Sequence, residues 1–154
     1  MEKVELYLSL GSNKGDRAAN MEAAISLLNI ELGRPYKAVS SFIETEPWGF
    51  ESEDKFLNAV VLYEMEFRKG FNPEAEGLII LEICKSIERR LGRTGEPQYD
   101  AEGNRIYSSR TIDIDILLLG DKIIDCEELT VPHKHMYERD FVMKPLNEII
   151  NVKL

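Results

Sequence analysis

No apolar run in this chain of 154 residues is long enough to cross a bilayer. The first residues, Met1-Glu2-Lys3-Val4-Glu5-Leu6-Tyr7, lack the pattern of a signal peptide and go straight into a strand pattern. Cysteine is scarce. Cys84 and Cys126 have no CxxC spacing, which indicates neither a disulfide framework nor a zinc site and makes a reducing, cytoplasmic location the expectation. Positive charge is also short: 19 Lys and Arg face 28 Asp and Glu, a net charge of −9. That balance argues against general binding to nucleic acid or anionic membrane, while a local arginine cluster can still hold a small anion. His133 and His135 have no third ligand nearby in sequence and do not make a metal site by themselves. The glycines follow neither a P-loop nor a dinucleotide fingerprint. No internal repeat, low-complexity tract or interdomain linker interrupts the chain.

What is present is an ordinary globular composition, 44% hydrophobic and 31% charged, sized for a single domain over 1–154. Val4 to Leu10 reads as a buried strand running into the turn cluster Gly11-Ser12-Asn13-Lys14-Gly15-Asp16. Asp16 then caps a helix carrying Met21, Ile25, Leu28 and Leu32 at helical spacing, closed by Gly33 and Pro35. Ala38 to Thr45 reads as one strand, Glu46 to Asp54 as a loop, and Phe56 to Phe67 as a third strand. Asn58 is a polar amide inside that apolar strand. It is either a satisfied structural amide or a reader of a ligand's polar edge. Asn72-Pro73 opens a second helix with Ile80, Cys84, Ile87 and Leu91 in its stripe, closed by Gly92. Cys84 in that stripe reads as a small buried hydrophobe.

Arg110 to Leu119 reads as the next strand. Side chains alternate in a strand, so Asp113 and Asp115 share one face and Ile112, Ile114 and Ile116 the other. The two carboxylates stand about 6.6 Å apart along the strand, with a repulsion of about 2.5 kcal/mol at an effective dielectric near 20. Solvent, cationic side chains or bound cations must offset it. Two hard carboxylates on a stiff strand suit Mg²⁺, which leaves its other positions to water and phosphate. The plainer alternative is a solvated face with two acids. Five of the nine arginines (Arg89, Arg90, Arg93, Arg105, Arg110) precede this strand, in and beside a long polar loop. Cations beside paired carboxylates suggest a site that handles Mg²⁺ and phosphate together. Lys122 to Asp125 reads as a short return strand, Thr130 to His135 as a loop, and Pro145 bars one continuous helix in the tail.

The element order β-α-β-β-α-β is the ferredoxin-like plan, an α+β sandwich. It predicts an antiparallel sheet with two helices covering one face and the first and last main strands central and adjacent. An extra hairpin and short C-terminal helices are added to it. The fold by itself assigns no function.

Several segments, in order, carry a more specific signal. They are Leu10-Gly11-Ser12-Asn13 with Gly15-Asp16, Ser40-Ser41-Phe42 to Thr45 with Pro47-Trp48-Gly49, and Phe56-Leu57-Asn58-Ala59. Ile87-Glu88 with Leu91-Gly92-Arg93, Arg110-Thr111-Ile112-Asp113-Ile114-Asp115-Ile116, Leu129-Thr130-Val131-Pro132-His133, and Arg139-Asp140-Phe141-Val142 with Pro145-Leu146 follow. On these motifs the chain resembles the 6-hydroxymethyl-7,8-dihydropterin pyrophosphokinase family of folate biosynthesis over nearly its whole length. The resemblance implies Mg²⁺-dependent transfer of pyrophosphate from ATP to the 6-hydroxymethyl group of the pterin, with release of AMP. It implies two Mg²⁺ ions held by Asp113 and Asp115, and catalytic phosphate contacts from Arg93 and Arg110. Glu88, Ile116, Thr130, His133 and Arg139 match nucleotide-side positions, again with Arg93 and Arg110. Thr45, Pro47, Trp48, Phe56, Asn58 and Phe141 match the pterin pocket. The chain departs from the common pattern where Gly95 replaces a second lid arginine; whether Arg105 takes its place is left open. Tyr107 falls where a tryptophan is usual. The expected partners are the two small substrates, with no nucleic acid and no membrane. A monomer is expected, with a dimer left open. Two other classes compete: a ligand-sensing ferredoxin-like module, which leaves the paired aspartates unexplained, and a single-strand nucleic-acid platform, which the negative charge disfavours.

Overall fold

The computed structural model describes residues 1–45, 55–92, 101–102 and 111–153, with the side chains from 151 onward left aside. The first strand, β1 (Glu2–Ser12), is followed by helix α1 (Arg17–Leu32). Asp16 caps α1 by accepting the Ala19 amide, and Gly33 closes it at φ 72°, a left-handed conformation that glycine adopts without a Cβ penalty. Two short strands come next, β2 (Ala38–Val39) and β3 (Ile43–Thr45), then the long β4 (Phe56–Phe67). Helix α2 (Pro73–Arg90) has Asn72 as its cap and Pro73 at its start, where a missing amide costs least. Strand β5 (Asp113–Leu119) precedes a small hairpin, β6 (Ile124–Asp125) with β7 (Thr130–Val131). A 3₁₀ turn (Met136–Glu138) leads into helix α3 (Asp140–Lys153). Among the described residues no helix is long and apolar enough to cross a membrane.

This is an α+β ferredoxin-like sandwich with an antiparallel sheet. Strands β2 and β3 both pair with β4, β4 with β1, and β1 with β5. The first and last main strands are adjacent, as expected. Only β1 is central, however: β5 has no strand beyond it among the described residues. One face carries Leu6, Leu8, Leu10, Ala59, Val61, Tyr63, Ile114 and Ile116, buried beneath α1 and α2. Cys84 belongs to that core, and burial followed by the nearby Glu88 charge pushes its thiol well up, so it behaves as a hydrophobe. The other face carries Tyr7, Val60, Leu62 and Leu117, covered by Val142, Leu146 and Ile149 of α3.

Four local expectations change. The segment 38–45 is two strands, because the register against β4 shifts by one residue between Val39 and Ile43. There Ser40 Oγ accepts the Val60 amide, and Ser41 turns its amide and hydroxyl to Glu148, both at 2.8 Å. Thr130–Val131 is a strand, not loop, since it pairs with Ile124–Asp125. Strand β5 begins at Asp113, with Thr111 and Ile112 ahead of it. Helix α3 runs unbroken through Pro145, so the tail is one helix after the 3₁₀ turn. A proline in a helix interior costs about 3 kcal/mol. Burying Val142, Leu146 and Ile149 returns about 1.5–3 kcal/mol each, and that sum prevails.

Candidate active site

The face under α3 is only partly covered. Going up β1 on that face, the side chains shrink from Tyr7 to Ser9 to Gly11. In register with them on β5 stand Leu118, Asp115 and Asp113. On β4 stand Leu62, Val60 and Asn58. The uppermost row is therefore Asp113, Gly11, Asn58, and beyond it Ile43 of β3. Helix α3 packs on the lower rows, and the upper row remains as a shelf with Asp113 at one end, Asp115 one row below it, and the Asn58 amide at the other end.

The acid end is as the alternation predicted. Leu117 continues that alternation into the α3 core, and a bulge leaves it unpaired between the rungs Leu8–Ile116 and Tyr7–Leu118, so that Leu118 packs on the same side. The Leu117 carbonyl accepts the His133 amide at 3.0 Å, which ties the segment after β7 to β5. His133 Nε2 then stands 4.0 Å from Asp115 Oδ2. The His135 amide donates to His133 Nδ1, which leaves the Nε2 proton facing the carboxylate. Burial lowers the His133 pKa below its ordinary value, Arg139 and His135 add to this, and Asp113 opposes it. From the other side, the buried Glu88 on α2 accepts the Ile114 amide at 2.8 Å. That amide lies between the two aspartates in sequence, so α2 holds the strand that presents them.

The amide end gathers around Gly11. Asn58 is 3% exposed and donates through Nδ2 to Thr45 Oγ1. A Cβ at Gly11 would stand 3.1 Å from Asn58 Oδ1 and 3.5 Å from the Phe56 ring. Thr45 and Phe56 pair with each other on the last rung of β3 and β4. Asn58 is thus satisfied on its amino side, with its carbonyl oxygen over Gly11. Phe141, at the start of α3, packs at the rim of the α3 core, with the Arg139 guanidinium 5.5 Å from its ring centroid.

The structure brings Asp113, Asp115 and His133 together, and Thr45, Phe56 and Asn58 together, with Gly11 between the groups. Glu88 meets the acids through the backbone. Ile116 sends its side chain into the opposite core, so only its backbone lies along β5's margin. Thr130 is exposed on β7. Pro47, Trp48, Arg93 and Arg110 lie outside the described residues, as do Gly95, Arg105 and Tyr107. Sequence reading gave Gly11 no role of its own. Its signal is a register, visible only once β1 is paired with both β4 and β5.

Two half-exposed carboxylates on one strand, without thiolate partners, suit a hard oxygen-seeking cation such as Mg²⁺. Among the described residues no three His, Cys, Asp or Glu side chains gather as a metal cage. Mg²⁺ needs none, since it takes one or two carboxylates and completes its shell with water and phosphate.

Residues 7–151 match the family model for 7,8-dihydro-6-hydroxymethylpterin-pyrophosphokinase (HPPK). A 2-amino-4-hydroxy-6-hydroxymethyldihydropteridine pyrophosphokinase of Porphyromonas gingivalis is 44% identical over 145 residues, covering 94% of this chain and 89% of that protein. The protein of the same name from Bacillus subtilis is 41% identical over 143 residues, covering 93% of this chain and 76% of its own length. The folic acid synthesis protein fol1 of Schizosaccharomyces pombe is 34% identical over 140 residues, 91% of this chain but 17% of that protein. With the match running across both the acid end and the amide end of the shelf, the chain belongs to the HPPK family, the pyrophosphokinases of folate synthesis.

Proposed function

We propose that this chain transfers the β,γ-diphosphate of ATP to the hydroxymethyl group of 6-hydroxymethyl-7,8-dihydropterin in a Mg²⁺-dependent reaction. The observation that carries the reading is the row Asp113–Gly11–Asn58, a cation-binding end and a ring-reading end on one shelf. Asp113 and Asp115 are the residues that would hold two Mg²⁺ ions, which would supply neutralisation of the triphosphate charge. The Asn58 carbonyl oxygen and Thr45 read the polar edge of the pterin, Gly11 lets the ring approach the sheet, and Phe56 and Phe141 flank it. Pro47 and Trp48 complete that side. His133, Glu88, Thr130, Arg139 and the backbone at Ile116 serve the nucleotide side, and Arg93 and Arg110 the phosphates.

In the reaction the substrate oxygen bonds to the β-phosphorus, the bond from that phosphorus to the α,β-bridging oxygen breaks, and AMP leaves with that oxygen. The hydroxyl proton is released. The chain's contribution is to position and to hold charge, which is where phosphoryl transfer draws its acceleration. The test is nucleotide release followed by chromatography. AMP forming only with the pterin and Mg²⁺ together is expected. ADP as the product, or AMP without pterin, overturns the reading.

A further inference from the structure

The first residue of α1, Arg17, holds both strands of the ribbon that presents Thr45, Phe56 and Asn58. One arm of its guanidinium, Nη1, donates to the Lys55 carbonyl at 2.8 Å, just before β4. The other, Nη2, donates to Glu44 Oε2 at 2.8 Å, in β3 one residue before Thr45. Glu44 pairs with Leu57, which packs against the core beneath α1 and α2, so its side chain projects to the α1 side of the sheet. Thr45, one residue on, projects to the shelf side with Phe56. Arg17 therefore grips the back of a rung whose front meets the ligand. The Arg17 hydrogen bond, then its charge, hold the Glu44 carboxyl below the usual carboxylate range.

We infer that Arg17 is a positioning residue for pterin recognition, acting through Glu44 and Lys55 to keep the β3–β4 rung that carries Thr45, and hence the Asn58 amide, in its binding geometry. Among the described residues strand β3 (Ile43–Thr45) is held by three rungs to β4 alone. Short strand ends fray, and a planar guanidinium bonded to both strands at once opposes that opening in a way a single charge cannot. Exposed ion pairs contribute little to global stability, so the consequence falls on local order. If the rung is closed only part of the time, apparent affinity for the ring drops by that fraction. The inference rests on the pterin-side reading above.

The test compares wild type with Arg17→Ala, Arg17→Lys and Glu44→Gln at saturating Mg²⁺ and ATP. Arg17→Ala is expected to raise the pterin KM about fivefold, with kcat and the Kd of a non-hydrolysable ATP analogue unchanged. Hydrogen exchange in the free enzyme speeds up at residues 43–45 and 55–57 and not in α2. Arg17→Lys, which reaches only one strand, falls between wild type and Arg17→Ala in both readouts, and Glu44→Gln, which keeps an acceptor, stays closer to wild type. An unmoved pterin KM with normal wild-type turnover overturns the inference, as does a parallel loss of nucleotide affinity or unchanged exchange at the rung. Absence of wild-type turnover with the pterin overturns the functional reading instead.

Discussion

The same three strands build two faces of opposite character. On β1, Leu6, Leu8 and Leu10 point into a core that two helices close completely, each of them at 0% exposure. One residue out of step, Tyr7, Ser9 and Gly11 point to a face that α3 covers only from below. On the closed face the neighbours are Ile114 and Ile116. On the open face, at matching heights, they are Asp113 and Asp115. One set of alternate residues is thus wholly core, while the other divides between the α3 core around Tyr7, Val60 and Leu62 and the polar upper rows to which recognition is assigned above as a proposal. A charged or polar residue is therefore tolerated in these strands where a helix stops short, and each face can be changed with limited effect on the other.

The largest expected effect breaks the open face at its acid end. Asp113→Ala and Asp115→Ala should each lower kcat/KM by about 10³ or more. Calorimetric titration should show the double variant losing Mg²⁺-dependent ATP binding. Thermal unfolding in EDTA should be unchanged or shifted slightly upward, because the variant relieves a like-charge contact that solvent already screens. Either single variant keeping more than a tenth of wild-type activity would sink the metal-holding role.

A change on the closed face should do the reverse. Leu8→Ala removes a fully buried side chain, and such truncations cost about 2–5 kcal/mol. Urea unfolding should register that loss, while kcat per folded molecule and both substrate affinities stay near wild type. Altered pterin or ATP affinity in the folded variant would show that the faces are coupled through β1 more tightly than their separation suggests.

How far the sequence alone reveals this depends on whether the signal is local. The caps Asp16 and Asn72 are local, and both were legible from residue type and position. The shared face of Asp113 and Asp115 follows from a period of two and holds until the bulge at Leu117. The break in segment 38–45 was not legible, since it depends on Glu148, 107 residues away, taking the Ser41 amide and hydroxyl. The continuity of α3 through Pro145 was hidden for a similar reason. It depends on an apolar stripe finding Tyr7, Val60 and Leu62, which only the assembled sheet provides. Resemblance marked Ile116 as a site position, but could not say that its side chain faces the closed core. Gly11 lay inside a quoted motif, yet its neighbours come from strands more than 40 residues away.

At Gly11 a single added methyl group separates the two faces of β1. Its φ is not in the left-handed region, so alanine can adopt the same backbone. A methyl there would sit 3.1 Å from Asn58 Oδ1 and 3.5 Å from Phe56. Asn58 cannot withdraw freely, because its Nδ2 is bonded to Thr45 and its side chain is buried. The methyl therefore fills the approach to the ring-reading amide. Gly11→Ala should raise the pterin KM about tenfold, about 1.4 kcal/mol, with the ATP-analogue Kd within twofold. The melting temperature should fall modestly, since Asn58 does not give way and crowding of about 1–3 kcal/mol outweighs the unfolded-state entropy of about 0.4–1 kcal/mol that replacing glycine removes. Weakened pterin binding measured on the folded variant well below that temperature would separate recognition from folding at one position of β1. A pterin KM within twofold of wild type would mean that the ring does not approach the sheet at Gly11.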